Sequence, residues 1–182
     1  MELEIMASTS CLKSPADGHA RGREPTPMRD VLQDTIFSWG WQDRIQHDPE
    51  SGSDFVTTIY IRHGEPFVYT LTVNESRRKL GIHVNSPIQI PNARKRDAVL
   101  IANYFNIRSA TGSYHITETG DLCYQWMLFA IGAKPDIGGF KALRDDANRA
   151  FDQTYTPFLT AAFTESPAAQ IIEKLEFFWS RR

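Results

Sequence analysis

Cysteine is nearly missing from this chain: Cys11 and Cys123 are the only two in 182 residues, and they stand far apart. That spacing excludes a disulfide framework and a structural zinc site built from paired thiolates. A reducing compartment fits such usage. Long apolar runs are missing too. Nothing approaches the roughly 20 residues that cross a bilayer, so no membrane partner is expected. The opening Met1-Glu2-Leu3-Glu4-Ile5-Met6 is acidic where a secretion signal is basic. A cytoplasmic location is the expectation. There is no excess of one charge either, because the formal net charge is only −2. No global field recruits nucleic acid or anionic lipid.

Chemical motifs are equally sparse. None of the five histidines, His19, His47, His63, His83 and His115, stands two or four residues from another, and no His-Glu-x-x-His occurs. His83 and His115 could meet across a sheet, but each alone reads as a solvent-facing strand residue. No Gly-x-Ser-x-Gly elbow is present, and Cys123 lies in a strand where burial is its expected fate. Asp145 and Asp146 are neighbours on a helix and point about 100° apart. With Arg149 and Asp152 they read as a solvated face. The stretch from Gly132 to Gly139 lacks both the Gly-Lys-Ser/Thr ending of a phosphate loop and the glycine spacing of a dinucleotide turn, and reads as a linker. No catalytic residue, metal or cofactor is expected, and the chain reads as a non-enzyme.

What is there is apolar matter for a core. Hydrophobic residues make up 41%, and eleven Phe, six Tyr and four Trp predict a core of large rings with some left for an interface. Residues 1–25 hold little to bury and read as a disordered tail. Residues 26–182 read as one α+β domain with a helical C-terminal extension. Thr26-Pro27 signals a helix start, and Met28, Val31, Leu32, Thr35, Ile36 and Trp39 recur at helical spacing until Gly40.

Three strands follow as a meander. Phe55–Arg62 is β-branched and aromatic, Phe67–Val73 alternates, and Leu80, Ile82 and Val84 make the third. Val56, Thr58, Tyr60 and Arg62, with Val68, Thr70 and Thr72, are mixed enough to face water. A middle helix opens at Pro91-Asn92 and runs to about Phe105. A hairpin then joins Tyr114 and Ile116 to Leu122–Phe129, whose two apolar faces place it centrally in the sheet. Phe140, Leu143, Ala147, Phe151, Tyr155, Phe158 and Ala162 mark a helix of about 20 residues that Pro157 should kink or split. Ser166-Pro167 opens a last helix bearing Ile171, Ile172, Leu175 and Phe178. Short connections imply an antiparallel sheet.

Two basic clusters stand out: Arg77, Arg78 and Lys79 in a turn, and Arg94, Lys95 and Arg96 at a helix start. At one end of the domain they would form a patch of six cations. Nucleic acid is still not the expected partner, since the aromatic interleaving of single-strand binders is missing.

From Thr26 to about Leu175 the chain resembles the YbjN-like family of bacterial sensory transduction regulators, whose fold is like that of type III secretion chaperones. The resemblance rests on Phe67-Val-Tyr-Thr-Leu-Thr-Val73 running into Arg77-Arg-Lys-Leu80. It continues through Pro91–Ile101, Asn103, Phe105, Gly112-Ser-Tyr-His-Ile116 and Gly120-Asp-Leu-Cys-Tyr-Gln-Trp126. Tyr155-Thr-Pro-Phe-Leu159 and Ser166-Pro-Ala-Ala169 complete it. It implies a dimerising or partner-binding domain with no established chemistry and no catalytic residue to carry over.

The expectation is therefore a protein-binding or regulatory homodimer with a protein partner. Val99, Leu100, Tyr104, Cys123, Met127 and Phe129 are the candidate interface, unless the C-terminal helices fold back over the same surface. The alternative is a small-ligand protein or enzyme with a pocket between the sheet and those helices.

Overall fold

The computed structural model describes residues 27–130 and 136–181. The expected tail, the cap at Thr26 and linker positions 132–135 lie outside the described residues. Helix α1 (Met28–Ser38) starts directly after Pro27, whose backbone is extended at ψ 143°. No side chain of its own caps it. Glu75, in a distant turn, accepts from the Met28 backbone N–H at 2.6 Å instead, satisfying one of the donors every helix start leaves orphaned.

Strands β1 (Gln46–Asp48), β2 (Ser53–Arg62), β3 (Glu65–Asn74) and β4 (Lys79–Gln89) follow. A short 3-10 turn leads into α2 (Lys95–Arg108). Then come β5 (Ser113–Ile116), β6 (Asp121–Phe129), α3 (Ile137–Phe163) and α4 (Ala168–Trp179). All six strands form one antiparallel sheet in the order β1-β2-β3-β4-β6-β5. It is an open sheet, and β6 is internal as its two apolar faces predicted.

Register decides which residues meet the helices. Val56 pairs with Leu71, Leu71 with Ile82 and Ile82 with Trp126, while Tyr69, Val84, Tyr124 and Tyr114 make a second row. These rows face α1 and α3, and nearly all are buried beneath Met28, Leu32, Ile36, Phe140, Leu143, Phe151 and Phe158. Phe151 meets Phe67, Tyr114 and Tyr124 ring to ring at 5.1–6.2 Å. The core of large rings is real. Trp126 stands at its rim, only partly buried.

Three expectations need correction. Val56 was read as facing water with Val68, yet pairing sends those two to opposite faces, and Val56 is fully buried. Gly138 and Gly139 do not belong to a linker. They form the first turn of α3, because Asp136 caps it by accepting from the Gly139 N–H at 2.9 Å. Pro157 does not split that helix, which runs unbroken over 27 residues. The last helix starts as expected after Pro167, and its Ala168 N–H donates to Asp97 of α2 at 3.0 Å. Asp97 also pairs with Arg94 at 2.8 Å, so one carboxylate ties the start of α2 to that of α4.

Candidate functional site

The sheet has a second face, and no described helix covers it. Phe55, Thr57, Ile59 and Ile61 of β2 lie there, continued by Val68, Thr70 and Thr72, by Gly81, His83 and Asn85, and by Cys123, Gln125, Met127 and Phe129. Ile59 is 66% exposed, Ile61 63%, Phe129 63% and Met127 43%. Polar residues hold the middle, where the Thr57 and Thr70 hydroxyls bond each other at 3.0 Å.

The outer edge of β2 is free as well. Strand β1 reaches only Ser53–Phe55, so among the described residues nothing pairs with β2 from Val56 to Arg62 on that side. A bare edge presents a row of backbone donors and acceptors that another chain can complete. Here Ile59 and Ile61 flank it on the open face and Tyr60, 44% exposed, on the other. The sequence reading missed this edge. Its signal was the β2 pattern itself, with apolar residues at both odd and even positions although only one set can meet the core.

The six candidate interface residues do not form one surface. Met127, Phe129 and Cys123 sit on the open sheet face, but Cys123 is 1% exposed and offers no contact area. Val99 and Leu100 lie on the outer side of α2, beside an Ile107 that is 81% exposed. Tyr104 is buried: Trp179 of α4 stacks on it at 6.0 Å, and the Arg108 guanidinium lies 3.8 Å from its ring. The C-terminal helix thus folds back over Tyr104 and Phe105 of α2 and leaves the stripe Val99–Leu100–Ile107 exposed.

Nor do the basic clusters meet. Arg77, Arg78 and Lys79 lie at the start of β4, while Arg94, Lys95 and Arg96 follow its end at Gln89. The length of β4 separates them: Lys79 pairs with Phe129 and Gln89 with Asp121 at the two ends of β6, roughly 26 Å apart at the usual rise of ~3.3 Å per residue. Arg94 is spent on structure, donating to the Ala161 and Ser166 carbonyls at 2.9 and 2.5 Å, and Lys95 donates to the Glu118 carbonyl. Among the described residues the two clusters therefore lie at opposite ends of β4.

A cleft of about 380 Å³ opens between the end of α2, α3 and the sheet, lined by Arg108, Thr111, Tyr124, Asp146, Arg149 and Trp179 among others. Asp146, read from sequence as part of a solvated face, is instead half-buried here. It accepts from the Tyr124 and Thr111 hydroxyls at 2.6 and 2.7 Å. Burial pushes the phenols of Tyr114 and Tyr124 up, and Tyr114 is bonded to Thr154 at 2.7 Å. Five of the lining side chains, Thr111, Tyr114, Tyr124, Asp146 and Thr154, are thus hydrogen-bonded among themselves.

One cluster on the open face could hold a metal. His115 pairs across with Cys123 and Cys123 with Asn85, while His83 is two residues before Asn85. One ligand atom from each of His83, His115 and Cys123 lies within 4.8 Å of the others. Burial, then the nearby His83, pulls the His115 imidazole down, and burial pushes the Cys123 thiol up to about 11. Sequence spacing had only hinted that the two histidines could meet.

No family model matches the chain, and no curated protein matches it. Solved structures do resemble it in fold. A chain of the HopA1–SchA chaperone–effector complex is 14% identical with a TM-score of 0.46, the match covering 65% of this chain and 84% of that one. A chain of the ExsC–ExsE complex is 13% identical with a TM-score of 0.48, covering 68% and 87%. The observed order of helix, strands, helix, hairpin and C-terminal helices around one antiparallel sheet is the α+β arrangement expected from the sequence.

Proposed function

We propose that this chain is a non-catalytic, regulatory protein-binding domain that takes an extended segment of a partner protein along the free edge of β2. The observation that carries this is the bare backbone from Val56 to Arg62, flanked by the exposed Ile59 and Ile61. Soluble proteins blunt such edges with charge, proline or cover, because an apolar edge pairs with whatever strand it meets. This one is apolar and long enough for a peptide to add as a strand. Main-chain bonds would give affinity, and alternate side chains on the open face would give selectivity. The cleft near Asp146 is the weaker candidate, since five of its lining side chains already bond one another.

The test is capture of binding proteins from the native lysate by the wild-type chain and by an Ile59→Lys/Ile61→Lys variant. Proteins held by the first and released by the second support the reading. Equal retention by both sinks it.

The stripe on α2 suits a second copy of the chain. Val99, Leu100 and Ile107 are apolar, exposed and on one side of a helix, and two-fold pairing of one such patch closes an assembly. Sedimentation equilibrium at ~10 μM, a concentration that favours association, is expected to return about twice the 20.7 kDa of one chain. Leu100→Glu should bring it back to one copy with unchanged circular dichroism. A single-copy mass for the unmodified protein would remove the dimer. Membership of the YbjN-like family belongs to this same proposal, supported by the motifs quoted from the sequence.

A further inference from the structure

We propose that His83, His115 and Cys123 bind a zinc ion on the open face of the sheet. Three neighbouring strands bring them together: β4 supplies His83, β5 His115 and β6 Cys123. Their ligand atoms already lie within 4.8 Å of one another, and the two imidazole rings stand 5.4 Å apart. Small rotations about side-chain bonds bring such atoms to the ~2.0–2.3 Å zinc–ligand distances.

Two features distinguish this group from a chance meeting of side chains. The His115 Nδ1 is sealed from solvent and has no hydrogen-bond partner among the described residues. A buried ring nitrogen left unmatched calls for a ligand. Meanwhile the Asn85 side-chain oxygen is approached by both the His83 Nε2 at 2.7 Å and the Cys123 Sγ at 2.9 Å. One oxygen thus gathers a thiol and an imidazole around a single point. It is also placed to serve as a fourth ligand.

The donor set selects the ion. A thiolate disfavours magnesium and calcium, which take oxygen, and two imidazoles with one thiolate suit a borderline-soft ion such as zinc. Three protein ligands plus Asn85 or a water complete a tetrahedron. On binding, the Cys123 thiol loses its proton to solvent and the sulfur takes the metal, so one proton leaves per ion. The His83 proton moves to the other ring nitrogen, freeing Nε2. The ion would then tie the edge strand β5 to β6 and β4.

The experiment uses the full chain, reduced and stripped of metal, carrying Cys11→Ser so that only Cys123 can supply a thiolate. Cobalt(II), added as a spectroscopic stand-in, is expected to bind one per chain with a thiolate-to-metal charge-transfer band, and zinc should displace it. Cys123→Ser should abolish the band. His83→Gln and His115→Gln should each weaken zinc by more than the ~10–100-fold typical of losing an outer-shell partner. No band, a band that survives Cys123→Ser, or a zinc affinity unchanged by both histidine variants overturns the site. If Cys123→Ser fails to fold by circular dichroism, the partly exposed His83→Gln decides in its place. This outcome is independent of the partner-binding reading, which the β2 variants test separately.

Discussion

The two faces of one sheet differ in what their side chains are asked to do. On the covered face, Phe67, Tyr69, Leu71, Ile82, Val84 and Tyr124 are all within a few per cent of full burial beneath α1 and α3. On the open face the sheet carries threonines, histidines and exposed isoleucines. Each strand contributes to both, since side chains alternate along it. The covered face therefore carries most of the buried apolar area, while Ile59 and Ile61 at the free β2 edge are exposed. On the proposed reading, stability and recognition are separated by a single residue step along β2.

Substitutions graded across the sheet can sharpen or break that separation. The largest effect belongs to Phe151→Ala, beneath the covered face, where a fully buried ring touches three others. Denaturant unfolding should show a loss of about 3–5 kcal/mol from burial and cavity together. Trp126→Ala comes next. Its ring is only partly buried at the core rim, so about 2–3 kcal/mol is expected, below the range for a fully enclosed aromatic. A cost equal to that of Phe151 would mean that something covers this rim in solution. The smallest effect belongs to Ile59→Lys/Ile61→Lys on the open edge. A shift within about 0.5 kcal/mol is expected, as for other surface positions. A loss of several kcal/mol there would mean that the edge is packed rather than free, and the comparison between faces would fail.

Element order was legible in the sequence because its signals are local. Alternation from Phe67 to Val73, helical steps from Phe140 to Ala162 and the proline before Ala168 each speak for a single segment. Strand β1 was not legible, since Gln46-His47-Asp48 carries no strand signature and exists only by pairing with Ser53–Phe55. Gly138 and Gly139 read as breakers, and nothing local showed that Asp136 would turn them into a capped first turn. Surfaces were less legible still. Whether six cations form one patch depends on the length of β4, and whether Tyr104 is exposed depends on where α4 lands. The His83, His115 and Cys123 cluster requires the register of three strands at once. Pairing partners across a sheet are set by tertiary packing, which periodicity within one strand cannot report.

On the proposed reading a partner docks along the free edge of β2. Amide hydrogen exchange tests it most directly, comparing the protein alone with the protein bound to a partner recovered by capture. The alternate amides between Val56 and Arg62 that point away from β3 should exchange readily in the free protein and become protected in the complex, while those bonded to β3 stay protected in both. Protection confined to α2 or to the cleft around Asp146, with exchange along β2 unchanged, would contradict it.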